Sequence, residues 1–461
     1  MPQLTAVAVQ PVILPSDFDL LDMHVGNPDR YPFLLESVAP EHPGRDRAAA
    51  HDILFAFPGE TLRLDRHFEL HGIPRAADHY FLRALDTWWQ SIRVPINSGP
   101  ALPFHGGWFL FLGYELVSQI EPSVRVHAPP AGPVAFATRI PVGLVRNRLN
   151  GEAWIVSEPG HSDAADQLRK DLVTCRASPA ATSATTLVTG IAEPEAAGFL
   201  GAVDSVRKLI ARGDVYQVNL ARHWSASVSD RARPADIYRK LRRTNPAPYA
   251  GIATFGDWVL LSSSPERLVR CRGGVVETRP IAGTRPTADD PALEDAQRRD
   301  LLANSKERAE HIMLIDLERN DLGRVSQPGS VEVDEFMVVE SYAHVHHIVS
   351  NVRGRLRPEV SPGELIRAMF PGGTITGCPK VRCMEIIADL EGQARGPYTG
   401  SMGYLNRDGS CDLNILIRSF VLRGQELSFA AGSGIVADSD PERELEETRA
   451  KAKGLLLALG G

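Results

Sequence analysis

The sequence predicts a mixed α and β fold of the α+β class, and three observations carry that expectation. Short β-rich runs divided by Pro and Gly turns fill the first part of the chain. Apolar residues recur at helical spacing in the second part, and 461 residues with 43% hydrophobic content suffice to bury a core of enzyme size. Before residue 176 the runs AHDILFAF, GGWFLFLGYEL and GEAWIVSE read as strands, and HYFLRALDTWWQSI reads as a helix. The stretch 176–190, RASPAATSATTLVTG, is rich in Ala, Ser and Thr and has no period, so it reads as a linker or crossover. That divides the chain into an N-terminal region 1–175, a crossover 176–193 and a C-terminal region 194–458.

Beyond the crossover, Phe199, Val203, Val206 and Ile210 share one helical face, Gly213 ends that helix, and VYQVNLARHW follows as a strand. On it Tyr216, Val218 and Leu220 take one face while Gln217 and Asn219 take the other. Hairpins are expected at Gly256-Asp257 and Gly273-Gly274. Ser305 is expected to cap a helix through KERAEHIMLIDLERN, and LNILIRSF to form one apolar strand containing Arg418. Asp440-Pro441 should open a last helix with Leu445, Ala452, Leu455, Leu456 and Leu459 as its buried stripe.

With a net charge of −7 and no basic stripe interleaved with aromatics, the chain offers no phosphate-neutralising surface, which argues against a nucleic-acid partner. Met1 to Pro15 lacks a basic stretch followed by an apolar one, and no run of about 18 apolar residues occurs. The expectation is a soluble, cytoplasmic protein that does not engage membranes. Five cysteines without Cys-x-x-Cys spacing read as reduced thiols with no assigned chemistry.

Several residues have two readings. Glu444 and Glu447 lie three apart on the first turns of the last helix, where acidic residues stabilise the helix end but can also project together toward a hard cation. Glu310 is a solvated helix glutamate or a third ligand of the same kind. The run FPGGTITGCPK, which includes Thr374, suits anion binding before a Pro-started helix, yet lacks phosphate-loop spacing and is equally a plain turn. Arg418, inside an apolar run, requires either a structural ion pair or a bound carboxylate.

Nine motifs occur in one order across roughly residues 195–455: GDVYQVNLAR, SSSPERLV, RPIAGTRP, KERAEHIMLIDLERNDLGRV, HVHHIVS, FPGGTITGCPKVRCMEII, GPYTGSMGY, DLNILIRS and GSGIVADSDPERELEETRAKA. Together they resemble the chorismate-binding domain shared by anthranilate synthase component I, aminodeoxychorismate synthase component I and the isochorismate and salicylate synthases. The resemblance implies a sandwich of two large, mainly antiparallel sheets flanked by helices, with chorismate in a cleft between them. It implies Mg2+ held by Glu310 and Glu444 with Glu447 beside them, and substrate contacts from Tyr398, Arg418, Gly434, Gly283 and Thr374. It also implies proton transfer by Glu266 and by His347 of the HVHH run, with Gln217 and Thr284 in the catalytic set. FLLES and NPAPY resemble a tryptophan-binding regulatory site, which would comprise Leu35, Glu36, Ser37, Pro248 and Tyr249.

Two positions distinguish branches of that family. Isochorismate-forming relatives carry a water-activating lysine where this chain has Gln217, and a neutral amide is no general base, so ammonia is favoured over water. Aminodeoxychorismate synthases usually carry lysine where this chain has Ala282, which points to the anthranilate branch. AHDILFAFPGETLRL, DLNI at 412–415 and the compact length resemble the aminodeoxychorismate branch instead. The resulting expectation is aminodeoxychorismate synthase component I, with anthranilate synthase component I as the alternative. No glutaminase nucleophile turn is present, so ammonia is expected from a separate glutamine amidotransferase subunit.

Overall fold

The computed structural model describes residues 7–38, 50–72, 79–96, 101–176, 188–230, 232–286, 290–341 and 345–460. Its strands follow from period-two burial. In Gln217–Val228, Val218, Leu220, Trp224, Ala226 and Val228 point inward, while Ser225 and Ser227 stay exposed. Among the described residues such strands assemble into one sheet of twelve and one of eleven. The path of the larger sheet runs Ala8–Val12, Ala153–Ser157, Val142–Asn147, His51–Ala56, Phe33–Glu36, Tyr249–Phe255, Trp258–Ser264, Ser419–Arg423, Glu426–Ile435, Gln217–Val228, Val188–Ala192. The smaller has Ile281–Pro286 and Val345–Arg355 at one end, and Gly107–Leu112 pairs with Ser401–Asn406 near its middle. All of the paired strands are antiparallel, as the resemblance implies, and both hairpins form where expected.

Strands from both sides of the 176–193 stretch share each sheet. Phe33–Glu36 pairs with Tyr249–Phe255 in the larger one. Within that stretch, 177–187 lie outside the described residues, and Val188–Ala192 is an edge strand on Gln217–Val228. The sheets meet over an aromatic core in which Phe33 stacks on Phe109 at 4.1 Å and Phe55, Phe111, Phe136 and Trp258 close the layer. Each such ring contributes roughly 2–3 kcal/mol by burial. Helices Pro234–Thr244 and Pro441–Leu459 cover the outer face of the larger sheet through Leu241, Leu455 and Leu459, and Asp440 caps the latter by accepting from Arg443 N at 3.1 Å.

Three expectations change. The helix Ser305–Gly323 is capped by Asn304, whose Oδ1 accepts from Glu307 N at 3.1 Å, so Ser305 sits inside the first turn. LNILIRSF is not one strand. Cys411–Asn414 belongs to the smaller sheet and Ser419–Arg423 to the larger, and 415–418 carry the chain between them with Arg418 at φ 54°. A crossing buried on all sides is as apolar as a buried strand, so hydropathy cannot separate them. Leu456 of the last helix is partly buried rather than core.

Candidate functional site

The floor of the site is the antiparallel pair Gln217–Val228 and Glu426–Ile435, in which Asn219 stands opposite Gly434 and Ala221 opposite Gly432. Both glycines are required by close approach. A Cβ at Gly432 would lie 2.6 Å from the Tyr398 hydroxyl and 2.7 Å from Asn219 Oδ1, and one at Gly434 would strike Gln217 Nε2. Gln217 is 4% exposed, and its Nε2 donates to Glu310 Oε1 at 3.0 Å. Its Oε1 and the Oδ1 of Asn219 are both buried without a hydrogen-bond partner among the described residues.

One wall carries Glu266 and His347. Glu266 is buried and accepts from Thr374 Oγ1 at 2.7 Å and from the backbone N–H of Ile281. Burial pushes its carboxyl up to about 7, against the opposing pull of those donors and of Lys451. His347 moves the other way: burial, reinforced by the charge of Arg418, brings it down to about 4, so the ring is neutral at pH 7. Its Nδ1 lies 3.0 Å from the Gly283 carbonyl, which can only accept. Nδ1 therefore carries the proton, and Nε2 is the acceptor nitrogen. Gly283, at φ 63°, needs to be glycine twice over, because a Cβ there would also strike Glu307 Oε2. Thr284 pairs through its backbone with His347, and its side chain lies outside the described residues.

Arg418 emerges from the crossing between the sheets. Burial lowers its pKa, while Tyr398 and Glu447 act in the opposite direction. Among the described residues no carboxylate lies within ion-pair distance of it, so the structural-pair reading finds no support there and a bound carboxylate fits. Burial raises the Tyr398 phenol to about 12, which keeps it a neutral donor at pH 7, and the Arg395 guanidinium lies 5.6 Å over its ring.

Of the expected metal ligands, Glu310 reaches the floor through Gln217, Glu444 is buried and accepts from Ser433 Oγ, and Glu447 pairs with Lys451 at 2.6 Å. Among the described residues their oxygens do not close on one point. Asp65, Glu69 and His71 do converge, but on an exposed turn where Asp65 already accepts from His71 and two backbone N–H groups. Sequence reading missed three residues here. Glu307 is one turn before Glu310, Lys451 donates to the Gly432 carbonyl at 3.0 Å, and Asn219 shares the face of Gln217. Spacings of three, four and two from recognised residues were the available signals.

Leu35, Glu36, Pro248 and Tyr249 gather elsewhere, with His51, Tyr404 and Asp412, around a cleft of about 470 Å3 of atom-free space counting its open mouth. Ser37 sits behind it, its N–H donating to Asp52 Oδ1 at 3.2 Å. Glu36 accepts from Arg148 at 3.0 Å, Arg242 at 3.0 Å and Tyr238 at 2.8 Å.

A sequence profile described as chorismate binding enzyme matches residues 61–457. An aminodeoxychorismate synthase component 1 of Bacillus subtilis is 39% identical over 397 residues, covering 82% of this chain and 82% of that protein. An anthranilate synthase component 1 of Streptomyces coelicolor is 40% identical over 376 residues, covering 77% and 73%. Anthranilate synthase component I from Streptococcus pneumoniae superposes with a TM-score of 0.78 at 32% identity over 90% of this chain and 93% of that one. The menaquinone-specific isochorismate synthase of Escherichia coli shares the fold at a TM-score of 0.74 and 21% identity over 98% and 94%. Among the described residues no helix is long and apolar enough to cross a membrane.

Proposed function

This chain belongs to the chorismate-binding enzyme family, and from that membership we propose that it aminates chorismate as the component I of an aminodeoxychorismate synthase. The observation that supports amination is Gln217. A buried amide already donating to Glu310 cannot take a proton from water, whereas ammonia delivered in its neutral form has a nucleophilic lone pair that needs no base to free it. In the proposed reaction the nitrogen lone pair forms a bond to the ring carbon that carries the hydroxyl, and the ring diene ends where it began. The C–O bond of the hydroxyl breaks, and the leaving oxygen takes the proton of Glu266 to depart as water. The surplus proton on nitrogen passes to Nε2 of His347. Glu266 near 7 and His347 near 4 stand in the protonation states these roles require.

The all-carboxylate donor set suits a hard cation that keeps several waters, which does not demand that Glu310, Glu444 and Glu447 close on one point. We assign Mg2+ to them. When bound, Mg2+ supplies Lewis-acid grip on the ring carboxylate. Arg418 and Tyr398 then orient the other carboxylate, and Thr374, donating to Oε1, holds the carboxyl of Glu266 in place. Relatives are named as a component 1, which supports a separate glutamine amidotransferase subunit as the ammonia source.

Ala282, buried on the strand beside Gly283, favours a second reading, anthranilate synthase component I, because it leaves no amine there to attack the ring. Incubating the protein with chorismate, Mg2+ and ammonium and identifying products by mass and fluorescence decides between them. The expected product is a non-fluorescent aminated chorismate that a separate lyase converts to 4-aminobenzoate. Fluorescent anthranilate with pyruvate would establish the second reading. For the Glu36 cleft we propose tryptophan as ligand, to be measured by calorimetric titration, with absence of heat in the wild type removing the assignment.

A further inference from the structure

The amination reading leaves unsaid where ammonia waits, and the floor of the site contains a feature no motif assigned. Gln217 and Asn219 alternate with inward-packed Val218 and Leu220, so their side chains leave the same face of one strand, about 7 Å apart at the backbone. Each lies over a glycine of the facing strand, Gln217 over Gly434 and Asn219 over Gly432. The Gln217 amide is oriented by its own chemistry, because Glu310 can accept only from Nε2, and this turns Oε1 away from Glu310. Oε1 of Gln217 and Oδ1 of Asn219 are thus two buried carbonyl acceptors with no donor among the described residues. Leaving one such acceptor unmet costs about 1–3 kcal/mol. The Tyr398 hydroxyl lies beside Asn219, which sets the pair at the edge of the carboxylate-binding groups.

We propose that Gln217 Oε1 and Asn219 Oδ1 form the ammonia subsite, with Asn219 as its positioning residue. Ammonia fits this pair by count and by polarity. It has three N–H donors and one lone pair, so two N–H bonds to the carbonyls leave the lone pair turned away from them and toward the ring. A cationic ligand would be recognised by carboxylate, and an anionic one is repelled by two carbonyl dipoles, so a small neutral donor is the ligand class that matches. The inference rests on the amination reading.

The test uses the full chain with Mg2+ and ammonium salts and measures KM for ammonium and for chorismate separately. Asn219→Ala is expected to raise KM for ammonium about tenfold, one neutral hydrogen bond, while leaving KM for chorismate within about twofold. Asn219→Asp, which keeps an acceptor, is expected to hold KM for ammonium at or below the wild-type value. An ammonium KM unchanged in the alanine variant, or a rise confined to chorismate, overturns the subsite while leaving amination standing. If alanine yields no folded enzyme, the aspartate variant decides alone, and a raised ammonium KM in it overturns the proposal. A wild type that consumes no chorismate with ammonium removes the amination reading itself, and the subsite with it.

Discussion

Two polar regions of this protein are built on opposite terms. Around Glu36 and Asp52 every charge is met: Asp52 takes Arg146 at 2.7 Å and Arg148, and Glu36 takes Arg148, Arg242 and Tyr238. On the floor beneath Gly432 and Gly434, two carbonyl oxygens are buried unmet, and Arg418 has no carboxylate partner among the described residues. Folding drives buried polar groups toward partners, because each one missing costs about 1–3 kcal/mol. The first region is therefore where polar groups hold the structure together. The second is where stability is lower than it could be, and where we propose that a ligand supplies the missing contacts.

Substitutions should separate the two regions cleanly. Glu310→Ala is expected to lower the rate of chorismate consumption at least about 1000-fold, the scale of losing a Lewis-acid contact, with no fall in the unfolding midpoint. Removing divalent cations with a chelator should do the same to the wild type, and Mg2+ should restore it. Glu36→Ala is expected to do the reverse. It removes an acceptor shared by Arg148, Arg242 and Tyr238, and although Arg148 keeps Asp52 and Arg242 keeps Asp19, it should take about 2–3 kcal/mol from the unfolding free energy in urea, while the chorismate KM of the folded fraction holds. Arg418→Ala returns to the site: KM for chorismate should rise about 100-fold, the loss of charge-assisted hydrogen bonds to a carboxylate, and the midpoint should not drop. A destabilised Arg418→Ala protein would mean that this guanidinium has a structural partner, and the comparison would fail at that residue.

What the sequence made legible was local or motif-borne. Turn residues announced the hairpins at Gly256-Asp257 and Gly273-Gly274, and the Asp440-Pro441 start was visible because capping is a local interaction. Asn304 was passed over for Ser305 because both are good caps one residue apart, and only the hydrogen bond to Glu307 N decides. Pairing of Phe33–Glu36 with Tyr249–Phe255 joins segments over 200 residues apart, which no local period encodes. The same limit hid the site's depth. Alternation put Gln217 and Asn219 on one face, but that this face looks onto Gly432 and Gly434 is a matter of register between distant strands. Glu307 was hidden because an acidic residue in a first helical turn is ordinary.

The smallest effect concerns Glu266, which lies between the two regimes: hydrogen-bonded like Glu36, yet without a cation on its carboxylate. Burial raises its folded pKa to about 7 from the ordinary 4.5, so between those values the folded state binds a proton that the unfolded state releases. Stability from this group is then complete below about 4.5 and is lost as pH rises toward 7. It amounts to about 2 kcal/mol between pH 5 and pH 7. Glu266→Gln, neutral throughout, is expected to remove its share of that slope measured by urea unfolding at each pH, leaving the shares of Glu115, Glu318 and Asp86, whose carboxyls burial also raises. In the wild type the rate of chorismate consumption, compared at equal concentrations of neutral ammonia, should fall as pH rises through about 7, since the proposed acid for the departing hydroxyl is then depleted. A stability slope that Glu266→Gln leaves intact would place the titrating group elsewhere, and the burial argument for its role as an acid would go with it.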